Sequence, residues 1–85
     1  MDGARAIPIT FYTKPGCHLC EDVADALEAL SARRPLEIDA IDITGNLDLH
    51  RRWWDKIPVV VIGGRTLQAP IDPRDVEQAI QAVEQ

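Results

Sequence analysis

Eighty-five residues provide for one domain with a single core, and no linker, repeat or composition shift divides residues 1–85. Apolar residues make up 46% of the chain and charged residues 27%, which excludes intrinsic disorder; no apolar run approaches the roughly 20 residues that a membrane helix needs. A formal net charge of −5 argues against a nucleic-acid partner, because that contact requires a basic footprint to displace counterions.

Met1-Asp2-Gly3-Ala4-Arg5 lacks the long apolar stretch of a signal peptide, so the expected location is cytoplasmic. Arg33-Arg34 and Arg51-Arg52 are local basic pairs and read as solvated helix ends. The cytoplasm keeps thiols reduced, so two cysteines there do not form a structural disulfide framework. A Cys-x-x-Cys in that setting points to redox or metal chemistry.

Ile7 to Tyr12 is rich in β-branched and aromatic residues and predicts a strand. Pro8 is tolerable near its start, where a missing N–H matters least, and Pro15-Gly16 ends it. From Cys17, apolar residues at Leu19, Cys20, Val23, Leu27 and Leu30 recur at three- and four-residue spacing, predicting a helix buried along one stripe. Glu21 and Asp22 suit the positive end of its dipole, Arg33-Arg34 the negative end, and Pro35 stops it. Leu36 to Ile43 alternates polar with apolar for most of its length, as a half-exposed strand does. Thr44-Gly45-Asn46 is a turn with capping residues before a short helix, Leu47 to Trp53. After a brief loop at Asp55-Lys56, Ile57-Pro58 leads into Val59 to Ile62, an apolar run typical of a strand covered on both faces. Gly63-Gly64 is a hairpin signal, and Arg65 to Gln68 should return antiparallel. Asp72-Pro73 starts the last helix with a capping acid and a first-turn proline, and Val76, Ala79, Ile80 and Val83 form its apolar stripe.

The order β-α-β-α-β-β-α implies an α/β architecture. The first two strands should be parallel with a right-handed crossover, and the last two an antiparallel hairpin. Helices should then cover both faces of a four-stranded mixed sheet.

Cys17 and Cys20 are the only cysteines, and they fall where strand gives way to helix. Helical residues three apart share a face, with Cβ atoms roughly 5–6 Å apart. A disulfide needs Cα atoms within about 7 Å, so a small adjustment of the first turn closes the ring. At the helix mouth, free N–H groups and the dipole favour a thiolate on Cys17, whereas Cys20 lies one turn in on the buried stripe. Cys17 then attacks a substrate disulfide, and Cys20 resolves the mixed disulfide. Against this stand two plainer readings. Two small buried hydrophobes could fall three apart by chance, although a strand-to-helix turn is an unusual place for them. Half a zinc site has the same spacing, but only His18 and His50 remain as soft donors, and His18 lies between the cysteines. No closed metal site within one chain is expected.

His18 has two readings: an imidazolium that favours the neighbouring thiolate, or a solvent-facing side chain pointing away from it. Lys14, three residues before Cys17, reads either as a cation that supports the thiolate or meets a substrate carboxylate, or as a surface lysine at a strand end. His50 reads as an exposed helical histidine, and at least one of Trp53 and Trp54 as core. Pro58 opens a central strand and so demands a special position, but only about 5–6% of X-Pro bonds are cis and the sequence leaves its isomer open.

The element order, Lys14-Pro15-Gly16-Cys17-His18-Leu19-Cys20 after strand one, and Ile57-Pro58 before an apolar strand together resemble the glutaredoxin branch of the thioredoxin fold. The resemblance runs from about Ile7 to Val83 and extends to small glutaredoxin-like proteins, largely bacterial. It implies a nucleophilic Cys17 and a resolving Cys20. It also implies a cis Pro58 facing the active-site sulfur and an Ile57 whose backbone pairs with the bound thiol substrate. Lys14 matches a basic residue that approaches the glycine carboxylate of glutathione, and Asp72 an acid at the start of the last helix. The chain departs from the family where His18-Leu19 replace the usual Pro-Tyr. It departs again where Ala69-Pro70-Ile71 replaces the glycine step before Asp72, whose backbone holds the γ-glutamyl group. Proline has no N–H to donate, so these departures weigh against a specific glutathione site and leave thiol–disulfide chemistry intact.

The expected activity is that of a cytoplasmic, monomeric thiol–disulfide oxidoreductase. It would act on a disulfide-containing protein or a low-molecular-weight thiol, with no bound cofactor and with glutathione or another thiol as reductant. The alternative is a non-catalytic binding module, or a carrier of a [2Fe–2S] cluster bridged between two chains by Cys17 and glutathione. Cys20 favours oxidoreduction, since such carriers usually have one cysteine in the motif.

Overall fold

A computed structural model describes residues 6–84. Strand β1 (Ile7–Thr13) leads into helix α1 (His18–Ser31), and strand β2 (Leu36–Asp42) into a single 3₁₀ turn (Ile43–Gly45) and helix α2 (Leu47–Trp53). Strands β3 (Val59–Ile62) and β4 (Arg65–Gln68) then precede helix α3 (Pro73–Glu84). The sheet order is β2-β1-β3-β4. β1 and β2 are parallel, from Ile7 opposite Leu36 to Thr13 opposite Asp42. β3 runs antiparallel to both β1 and β4. This is the mixed four-stranded sheet that the sequence predicts.

Strand alternation sorts the apolar residues onto two faces. Ile7, Ile9, Phe11, Val60 and Ile62 pack with Cys20, Val23, Leu27 and Leu30 of α1 and Val76, Ala79 and Ile80 of α3. Val59, Ile43 and Trp53 form a smaller core on the other face, with Tyr12 and Val61 against it. Helices therefore cover both faces. The smaller core is aromatic: the Tyr12 and Trp53 rings stack with centroids 5.5 Å apart, and the Arg52 guanidinium lies 4.9 Å from the Trp53 centroid, within cation–π reach. Trp53 is buried and Trp54 exposed, which fits the expectation that one of the two packs inward.

The hairpin between β3 and β4 turns on Gly63 and Gly64, with φ of 53° and 83°, the left-handed pair of a tight two-residue loop. A Cβ at Gly63 would also clash with Val83 of α3, so the last helix closes down over the hairpin.

Four expectations change. Leu19 does not join the buried stripe of α1 and is 59% exposed; it precedes Cys20 by one position, about a quarter-turn around the helix, which rotates it to the rim. Val83 is 40% exposed, because the last turn of α3 overhangs the hairpin instead of the core. Arg33 and Arg34 lie beyond the end of α1, and the Arg34 guanidinium instead reaches Glu84 at 2.7 Å. Ile43 leaves β2 for the 3₁₀ turn, because the Asp42 carboxylate accepts hydrogen bonds from the Thr44 N–H (2.8 Å) and hydroxyl (2.6 Å). Those bonds bend the chain there and hold the Asp42 carboxyl below its ordinary value.

Candidate active site

Pro15 and Gly16 separate β1 from α1, and Gly16 takes a φ of 77°, a conformation open to glycine at little cost. The turn delivers Cys17 to the N-cap position with extended φ and ψ of −95° and 104°. There its Sγ accepts a hydrogen bond from the Cys20 N–H at 3.1 Å, and its carbonyl accepts from the Glu21 N–H at 3.1 Å. A sulfur in the place of a capping oxygen meets donor groups that prefer the thiolate over the thiol. Cys17 and Cys20 lie at disulfide distance, with Cα atoms 5.2 Å apart. Cys20 is 2% exposed and belongs to the larger core, whereas Cys17 is half-buried at its edge.

The remaining sequence-predicted residues take distinct places. The His18 side chain is almost wholly exposed, with Nδ1 3.9 Å from a Glu21 carboxylate oxygen, too far for a hydrogen bond. This is the solvent-facing placement. Lys14 lies exposed just past the end of β1. Pro58 is buried, and its peptide bond with Ile57 is cis, as is that between Ala69 and Pro70. Ile57 bridges the two cores, and its N–H donates to the Trp53 carbonyl at 3.0 Å. That donor is therefore engaged within the chain. Asp72 caps α3: its carboxylate accepts from the Arg74 N–H at 2.9 Å, and its carbonyl from the Asp75 N–H at 2.9 Å.

The Arg74 N–H holds the Asp72 carboxyl below its ordinary value of 3.8. A depressed carboxyl stabilises the fold at pH above the unfolded value, and that contribution disappears as pH falls from 3.8 through the lower folded value. Asp72→Ala should therefore lower the urea midpoint at neutral pH, and the gap from wild type should shrink as pH drops below 3.8. Parallel urea titrations at neutral and strongly acidic pH test this. A gap independent of pH would show that the carboxylate charge is not what caps the helix.

Between α1 and the loop from β4 to α3 runs a groove of about 280 Å³. Leu19 and Val23 form one wall, Pro70 and Ile71 the other, with Pro58 also in the lining. The Ala69 N–H donates to the Lys56 carbonyl at 3.3 Å, tying that loop to the segment just before Ile57-Pro58. Sequence reasoning missed this groove. The available signals were Leu19 between the two cysteines and the apolar Ala69-Pro70-Ile71 in what is otherwise a connecting loop.

The family model described as "Glutaredoxin-like domain (DUF836)" matches residues 8–84. The chain belongs to the glutaredoxin-like family. Among the curated relatives of this glutaredoxin-like chain, the gene 56 protein of Mycobacterium phage L5 is 42% identical over 53 residues, which cover 58% of this chain and 48% of the phage protein. An uncharacterised Mycobacterium bovis protein is 34% identical over 67% of this chain and 64% of its own length. The chain thus spans about half of the phage relative and under two thirds of the mycobacterial one. Among solved structures, a Nitrosomonas europaea protein is similar with a TM-score of 0.74 and 27% identity, covering 98% of this chain and 96% of that one. A Xanthomonas structural-genomics target, from X. campestris, gives 0.72 and 27%, covering 87% and 96%. Thioredoxin 1 of Thermosipho africanus gives 0.73 at 14% identity, covering 91% and 93%, a likeness of fold alone. The architecture is the thioredoxin fold.

Among the described residues, no group of three or more His, Cys, Asp or Glu side chains could hold a metal ion. Nor, among them, is any helix long and apolar enough to cross a membrane.

Proposed function

We propose that this chain is a thiol–disulfide oxidoreductase in which Cys17 is the nucleophile and Cys20 the resolving thiol. The observation that carries the reading is the asymmetry of the pair: Cys17 at the helix N-cap and partly accessible, Cys20 buried within disulfide distance of it.

In the reductive direction, the Cys17 thiolate attacks one sulfur of a substrate disulfide. The substrate S–S bond breaks, and the leaving sulfur departs as a thiolate that takes a proton from solvent. Cys20 then loses its proton and attacks Cys17 Sγ, releasing the second substrate thiolate and forming the Cys17–Cys20 disulfide. Two electrons pass from the cysteine pair to the substrate, and an external thiol or dithiol reductant restores the pair. The Cys20 N–H aimed at Cys17 Sγ stabilises the Cys17 thiolate as the attacking group. No resident cofactor takes part.

The cluster-carrier reading has no comparable support, because Cys20 within disulfide distance offers Cys17 a partner that competes with ligation. The test is stoichiometric. Anaerobically reduced protein, mixed with excess hydroxyethyl disulfide, should release two small-molecule thiols per chain and end as the intramolecular disulfide. Release of none would overturn the assignment.

A further inference from the structure

We propose that the groove beside the cysteine pair selects the substrate. It receives an apolar side chain of a polypeptide that carries the disulfide, in a neutral or basic context in preference to an acidic one. This assignment rests on the exchange chemistry proposed above.

Position comes first. Leu19 lies between the two cysteines in sequence, and Pro58 lines the same groove. A chain whose disulfide sulfur reaches Cys17 therefore brings its neighbouring residues over this depression. Size and chemistry follow. An apolar cavity of roughly 150 Å³ already admits a benzene-sized group, so a groove of about 280 Å³ takes one large side chain with room to spare. Its walls are aliphatic, and Leu19 leaves 59% of its surface exposed at the rim, apolar area that a partner side chain would remove from water.

Charge narrows the choice. Of all the lining residues only Asp22 is charged, and α1 behind it adds exposed Glu21, Asp25 and Glu28 with no lysine or arginine. Across the groove, the loop ends in the Asp72 carboxylate, with the Arg74 guanidinium nitrogen 3.5 Å from it. An anionic ligand thus meets like charge at the helix wall. Pro58, Pro70 and Pro73 line the groove and have no N–H with which to hold a carboxylate. Glutathione, with two carboxylates, fits this groove worse than a peptide segment bearing leucine or isoleucine beside its cysteine. Lys14, the basic residue nearest the motif in sequence, is not part of the groove lining.

The experiment compares single-turnover rate constants of the reduced protein with four disulfides. Three are symmetrical disulfides of a short peptide with leucine, alanine or aspartate next to its cysteine; the fourth is oxidised glutathione. The leucine peptide should react about tenfold faster than the alanine peptide, the scale on which an apolar pocket discriminates side chains. It should exceed the aspartate peptide and oxidised glutathione by more than that, with the deficit of the aspartate peptide shrinking at high salt. Asp22→Lys, an exposed substitution whose folding is checked by circular dichroism, should narrow the gap between the leucine and aspartate peptides. Equal rates for the three peptides, faster reaction of oxidised glutathione, or an unchanged charge preference in Asp22→Lys would overturn the groove assignment. Hydroxyethyl disulfide, too small to use the groove, separates the two levels. If it is reduced and the peptides are not distinguished, the groove fails alone. If neither it nor any peptide is reduced, the exchange chemistry fails and the groove assignment with it.

Discussion

Cys17→Ser should abolish disulfide reduction, lowering the rate by roughly a thousandfold or more. A serine hydroxyl at this N-cap still accepts the Cys20 N–H, so the helix start survives and the loss reports chemistry, not folding. Cys20→Ser should behave differently. The first attack remains, because Cys17 keeps its place and its donor, but the resolving sulfur is gone. The reaction stops at a mixed disulfide between Cys17 and half of the substrate. Intact-mass spectrometry after reaction with hydroxyethyl disulfide reads both outcomes. Wild type should lose the mass of two hydrogen atoms and gain no adduct, Cys20→Ser should gain one substrate half, and Cys17→Ser should show neither change. An adduct on Cys17→Ser would mean that the buried Cys20 is the nucleophile, and the roles would have to be exchanged.

The placement of the two cysteines was readable from sequence because it depends on local features. Pro15-Gly16 breaks the strand, the three- and four-residue apolar spacing sets the phase of α1, and both features place Cys17 at the mouth and Cys20 inside. Features that depend on what arrives from elsewhere in the chain were not readable. Leu19 satisfies an apolar pattern as well as Cys20 does, and only the seating of Pro58 and the Ala69–Pro73 segment shows that it lines a groove instead of the core. Asp55-Lys56 reads as a plain loop, yet it forms a turn in which both the Lys56 and Ile57 N–H groups donate to the Trp53 carbonyl. That closure engages the N–H of Ile57, the residue whose backbone the family resemblance pairs with a substrate. Asp72 had two readings, substrate contact and helix cap, and its hydrogen bonds are those of a cap.

The second large effect separates Leu27 from Leu19, two leucines that the apolar pattern treats alike. Leu27 is 1% exposed and packs α1 onto the sheet within the larger core. Leu27→Ala should destabilise the oxidised protein by about 2–5 kcal/mol, from lost burial and from the cavity left behind. Folded domains have only about 5–15 kcal/mol in total, so this is a large fraction of the margin. Leu19→Ala removes a side chain from the rim and should change stability by less than about 0.5 kcal/mol. Urea unfolding of both variants should show a large fall in midpoint for the first, a negligible one for the second, and an unchanged slope in each. The same substitution at Leu27 reaches the chemistry indirectly. α1 carries both cysteines, and loosening its seat exposes Cys20, so reduced Leu27→Ala should be alkylated at Cys20 faster than wild type by a thiol reagent. Equal destabilisation by the two leucine substitutions would return Leu19 to the core and remove the apolar rim on which substrate selection by the groove depends.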